Sequence, residues 1–141
     1  MNNKHKDDVY IVSLSNSAIK NTNLVWSDIV LKKKKYFYPL NGAWPQELSY
    51  IGFRYNSELQ SIYRVDNVHR TNNLHELIDE MPDVEEEYEY LVYDLEDEIS
   101  INRTIKYGEK ITRAIRVYCN LKILLNSDTI TEAYEKTKEI R

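Results

Sequence analysis

Among the 141 residues, the side chains whose types could do chemistry are three histidines, one cysteine and a dense run of carboxylates. His5 lies near the start of the chain and reads as a surface residue, while His69 and His75 flank a loop. Cys119 is the single cysteine, so the chain can form neither an internal disulfide nor a thiolate cluster for zinc. Within an apolar stretch a thiol is usually an inert packing group. The carboxylates from Asp94 to Glu98 could hold a divalent cation only loosely, because the glycine and ligand spacing of a calcium loop are missing. No Ser/His/Asp or Cys/His arrangement is visible, and three glycines are too few for a phosphate-cradling loop. No catalytic residue, metal site or cofactor is therefore assigned.

What remains is an aromatic and basic group: Trp44, Tyr50, Arg54, Tyr63 and Arg64. Flat rings beside guanidinium groups are what stacking on a base and contacting phosphate require. The competing reading is structural, since Tyr and Trp in a hairpin also serve as cross-strand packing pairs.

Charge divides the chain into three blocks. Residues 1–75 carry a net charge of +4, residues 76–98 carry twelve acidic and no basic side chains, and residues 99–141 return to +4. The acidic block reads as a surface loop or edge region, or as a patch for a basic partner through Glu85, Glu86, Glu87, Asp94 and Glu96.

Several elements are needed to place these groups. Val9 to Leu14 is β-branched and aromatic and predicts a first strand; Ile29 to Tyr38 predicts a second, with Lys32 to Lys35 solvated. A Pro-bounded loop carries Trp44. Ser49–Tyr55 and Leu59–Val68, separated by a polar turn at Asn56 and Ser57, predict an antiparallel hairpin. In the first of these strands, Tyr50, Gly52 and Arg54 would share one face, and Ile51, Phe53 and Tyr55 the other. Asn72 or Asn73 would cap a helix running to Glu80, and Tyr88 to Leu95 predicts another strand. From Ile111 to Leu125 the apolar spacing, including Tyr118, is helical, and Thr129 with Glu132 forms a capping box that opens a last helix. Together these predict one α+β domain over residues 1–141: a small twisted antiparallel sheet or partly open barrel with flanking helices and a helical C-terminus. With one cysteine, no apolar leader and no apolar run long enough to span a bilayer, the expected setting is cytoplasmic, away from membranes.

The run from Trp44 to Val68, an aromatic-Pro loop followed by YIGFRY, a polar turn and LQSIYRV, resembles strand pairs of PUA-like domains, including the ASCH and EVE groups. It covers about a sixth of the chain. The resemblance implies a small β-barrel flanked by helices that binds RNA, modified DNA bases or nucleotides. A net charge of −4 departs from an RNA binder, whose affinity rests on phosphate neutralisation. The leading expectation is thus a non-catalytic module that binds a nucleotide, single-stranded nucleic acid or an exposed nucleobase. The alternative is a protein-interaction or inhibitor protein whose acidic block meets a basic partner. A metal-dependent nuclease comes third, although the acidic residues after Pro82-Asp83 lack a Glu-x-Lys.

Overall fold

A computed structural model describes residues 5–19, 22–40, 47–109 and 116–140. It shows an α+β protein with a six-stranded open sheet in the order β2-β5-β4-β3-β1-β6. The strands are β1 (Asp8–Ser13), β2 (Lys35–Pro39), β3 (Tyr50–Tyr55), β4 (Glu58–Thr71), β5 (Tyr90–Glu98) and β6 (Val117–Asn120). The helices are α1 (Trp26–Leu31), α2 (Leu121–Leu125) and α3 (Ile130–Glu139). Among the described residues no helix is long and apolar enough to cross a membrane.

The expected hairpin is present. Asn56 and Ser57 take φ of 53° and 65°, the two left-handed positions of a tight turn whose twist matches the flanking strands. β3 and β4 pair antiparallel with Tyr50 opposite Arg64 and Ile51 opposite Tyr63, and a bulge falls between Phe53 and Arg54. The sheet is nevertheless mixed, not antiparallel: β1 runs parallel to β3, with Val12 opposite Phe53. The pattern of β1 shows that it is a buried strand but not which neighbour it will choose.

Three further expectations are corrected. Ile29, read as the start of a strand, lies in α1, where it and Val30 are fully buried; Lys34 at φ 55° then turns the chain into β2. A short β-branched run adopted the conformation that buried it, as context overrides intrinsic preference. Tyr118 and Cys119 lie in strand β6, paired antiparallel with β1, and the helix begins only at Leu121. The inward positions Val117 and Cys119 alternate with half-buried Tyr118 and Asn120, a period of two. Ile111, Ala114 and Ile115 of that predicted stripe lie outside the described residues. The helix expected from Asn72 or Asn73 to Glu80 is a single 3-10 turn, Leu74–Glu76, capped by the Asn73 side chain.

The chain gathers into two compact units. One comprises Met1–Leu14, Leu48–Arg64 and Asp97–Arg141, and the other Ser15–Glu47 and Val65–Glu96. In the first, Val9, Ile11, Ile62, Cys119, Leu124 and Ile130 form a buried cluster with α2 and α3. Thr129 caps α3 as the capping box predicts, its hydroxyl accepting from the Glu132 amide at 3.0 Å. In the second unit, Ile29, Phe37, Leu74, Ile78 and Val92 form a core of their own. The acidic run of residues 76–98 is only in part the loop expected: its end is β5, an interior strand between β2 and β4.

Candidate functional site

The hairpin residues chosen from sequence do not share an exposed surface. Tyr63 is 2% exposed and packs edge-on to Phe53 at 6.2 Å between ring centres. Arg54 is also 2% exposed, its guanidinium 4.8 Å from the centre of the Tyr107 ring. Tyr50 and Arg64 do meet, as a directly opposed cross-strand pair. Tyr50 is half-buried against the core of the first unit, and Arg64 binds the Asp97 carboxylate through Nη2 at 2.8 Å and Nε at 3.1 Å. Trp44 lies outside the described residues. Alternation correctly placed Tyr50 and Arg54 apart from Phe53, but β3 is buried on both faces, so neither face is a free platform.

The five acidic candidates also separate. Glu85 and Glu87 are exposed in the segment before β5, and Glu96 is half-buried in β5. Asp94 is taken up internally: its carboxylate accepts from Lys35 Nζ at 2.5 Å and is hydrogen-bonded to His69 Nε2 at 2.6 Å. Glu86 lines a cavity of about 530 Å³ in the second unit.

That cavity is walled by rings from four places in the chain. Trp26 comes from α1, Phe37 and Tyr38 from β2, Tyr90 from β5, and Tyr88 from the segment just before it. Trp26 and Phe37 are 4.8 Å apart between ring centres, Phe37 and Tyr90 meet edge-on at 5.7 Å, and Tyr88 and Tyr90 lie 5.3 Å apart. The hydroxyls of Tyr88 and Tyr90 are hydrogen-bonded at 3.2 Å. Among the described residues Glu86 is the one charged residue of the lining. Burial, the Tyr88 hydroxyl and the Glu86 charge together push the Tyr90 phenol well above its ordinary range, so it stays a neutral hydroxyl.

The acidic wall is pinned. The Glu86 amide donates to the Asn72 carbonyl at 2.8 Å, and Asn73 Nδ2 donates to Asp83 Oδ1 at 2.6 Å. At the mouth, Val84 and Tyr88 are 51% and 47% exposed, two of the four large apolar side chains left in solvent among the described residues. Val84 and Tyr88 thus set exposed apolar surface beside a concave, ring-lined cavity.

Of these residues the sequence reading singled out only Glu86. Tyr36-Phe37-Tyr38 and Tyr88-x-Tyr90 were legible as aromatic strand residues, but their convergence on Trp26 depends on the pairing of β2 with β5, in which Phe37 lies opposite Val92. Among the described residues no group of three His, Cys, Asp or Glu side chains comes close enough to hold a metal ion, so the nuclease reading acquires no metal centre. No protein family, curated protein or solved structure matches this chain.

Proposed function

We propose that the protein is a non-catalytic interaction module whose ring-lined cavity receives a cationic side chain from a basic protein partner. The observation that carries this reading is the composition of the wall: among the described residues, five aromatic rings and one carboxylate, Glu86, with no basic residue. Ring faces carry negative charge density and attract a cation by about 0.5–1 kcal/mol where exposed and about 2 kcal/mol where water is excluded. A carboxylate at the same place adds a charged acceptor for the ammonium or guanidinium head. The same wall disfavours a nucleotide, because among the described lining residues a phosphate would face Glu86 with no cation to meet it. The block around Glu86, twelve acidic residues with no basic one between 76 and 98, supplies the longer-range attraction. A PUA-like ancestry for the hairpin of residues 44–68 is compatible with this use of the sheet and is proposed on its sequence alone.

The test is calorimetric titration of the whole protein with a lysine- and arginine-rich peptide and with an acidic peptide of equal length. The basic peptide binds and the acidic one does not. Glu86→Gln and Tyr88→Ala, both at the open rim, each weaken binding about tenfold, in line with the loss of one charge-assisted contact or one cation-binding ring. Binding that is unchanged in both variants would show that the cavity is not the site.

A further inference from the structure

A second cavity, also about 530 Å³, lies in the other unit beside strand β6, and its chemistry is the reverse of the first. Its lining brings together His5, Arg116 and Lys138 with the rings of Tyr118 and Tyr134. We infer that this cavity is a binding site for a phosphomonoester, the phosphate held by Arg116 and Lys138 beside the His5 and Tyr118 rings.

Each group is placed by a separate part of the fold. His5 stands in the turn that leads into β1, where the Asp8 amide donates to the His5 carbonyl at 2.9 Å. Its ring stacks on Tyr118, 3.8 Å between centres and only 7° from parallel, and Nδ1 is hydrogen-bonded to Asp8 Oδ2 at 2.8 Å. Those two contacts fix the imidazole in both plane and rotation. Lys138, on the last turn of α3, has its ammonium 4.8 Å from the centre of the Tyr134 ring and 3.3 Å from Glu135 Oε2. Arg116 immediately precedes β6.

Opposing charges have to be weighed. Asp8 is the one acidic residue of the lining, and its side chain is fully buried and engaged by His5. The C-terminal turn of α3 directs carbonyls toward this end of the helix, which disfavours an anion. Two permanent cations outweigh that cost, because hydrogen bonds from charged donors to phosphate are stronger than the helix-end effect and Arg presents its donors as a fork matched to phosphate oxygens. The Asp8 carboxylate, hydrogen-bonded to His5 Nδ1, orients the imidazole beside the site. This inference stands apart from the cation-binding cavity, since the two share no residue.

Phosphate can reach such a site as the free ion or on a nucleoside, and titration of the whole protein distinguishes them. Inorganic phosphate, a nucleoside 5′-monophosphate and the parent nucleoside are added separately at fixed low salt, with binding read by calorimetry and by the ring-proton NMR signals of His5 and Tyr118. Both phosphate-bearing probes bind and shift those signals, and the nucleoside does not. A nucleotide that binds more tightly than phosphate assigns the added affinity to the rings. Arg116→Gln and Lys138→Gln, both exposed positions, each weaken phosphate binding about tenfold or more while leaving the thermal transition in place. Absence of binding by either probe at millimolar concentration overturns the inference. So does binding that both variants retain, or a nucleoside that binds as well as its monophosphate.

Discussion

Asp94 receives Lys35 Nζ at 2.5 Å and His69 Nε2 at 2.6 Å, and all three side chains are at least half-buried. Burial alone would raise the Asp94 carboxyl, but the hydrogen bonds and charges of Lys35 and His69 outweigh it and hold the group below its ordinary value of 3.8. A carboxyl lowered in this way contributes stability that is fully present above the unfolded-state value and is lost as pH falls through the lower, folded-state one. Asp94→Asn should therefore cost about 1–2 kcal/mol near neutral pH. The gap between variant and wild type should narrow in urea titrations carried below pH 3.8; a gap independent of pH would show that the charge is not the cause. The sequence offered Asp94 as a partner-facing residue because an acidic run looks alike whether or not its members are used internally. The cross-strand register that sets Lys35 opposite Asp94 is a tertiary fact.

Gly108, between β5 and β6, illustrates what one position does for a distant element. Gly108 sits at φ +81°, where a side chain is strained, and a Cβ there would lie 2.8 Å from Thr131 Oγ1 and 2.9 Å from Thr129 Cβ. This close approach lets Lys106 and Tyr107 accept from the amides of Ile130 and Thr131, so the first turn of α3 is closed by backbone from residues 106–107 as well as by its own cap. Gly108→Ala should destabilise the protein by about 1–3 kcal/mol, from the strained dihedral together with the displaced threonines. A lowered urea midpoint with unchanged slope would confirm it, and an unchanged midpoint would refute it. The start of α3 was legible, since Thr129 and Glu132 carry a local signal; the need for glycine at 108 was not, because it arises from a segment more than twenty residues away in the chain. The same contrast separates the hairpin, announced by Asn56-Ser57 between two β-rich runs, from the parallel pairing of β1 with β3, which no local pattern encodes.

Across the whole molecule the charge is small, −4, and conceals opposed blocks that the two cavities use differently. The ring-lined cavity takes half of its lining, Met81 to Tyr90, from the acidic block, whereas Arg116 and Lys138 belong to the basic stretch after it. Capture of a basic peptide should depend on the field of the acidic block, in which Glu80, Asp94, Asp97 and Glu89 are already paired with Lys33, Lys35, Arg64 and Arg70, so its association rate should fall severalfold between 20 mM and 500 mM salt while the dissociation rate changes less. Stopped-flow titration at several salt concentrations checks this, and an association rate indifferent to salt would confine the attraction to short-range contacts. Block charge was readable from composition, and so was the α+β class; the sites were not, because each is assembled from rings and charges supplied by separate elements. Trp26 and Tyr90 are far apart in sequence, as are His5 and Lys138.

The single thiol of the chain, on β6, has no exposed surface, and burial and the Asp8 charge push it up to about 12. A sulfur so shielded can react with an alkylating reagent only when the strands around it part. Cys119 thus acts as a built-in chronometer for the first unit: the speed at which it is tagged counts the openings of that core without any label having to be introduced.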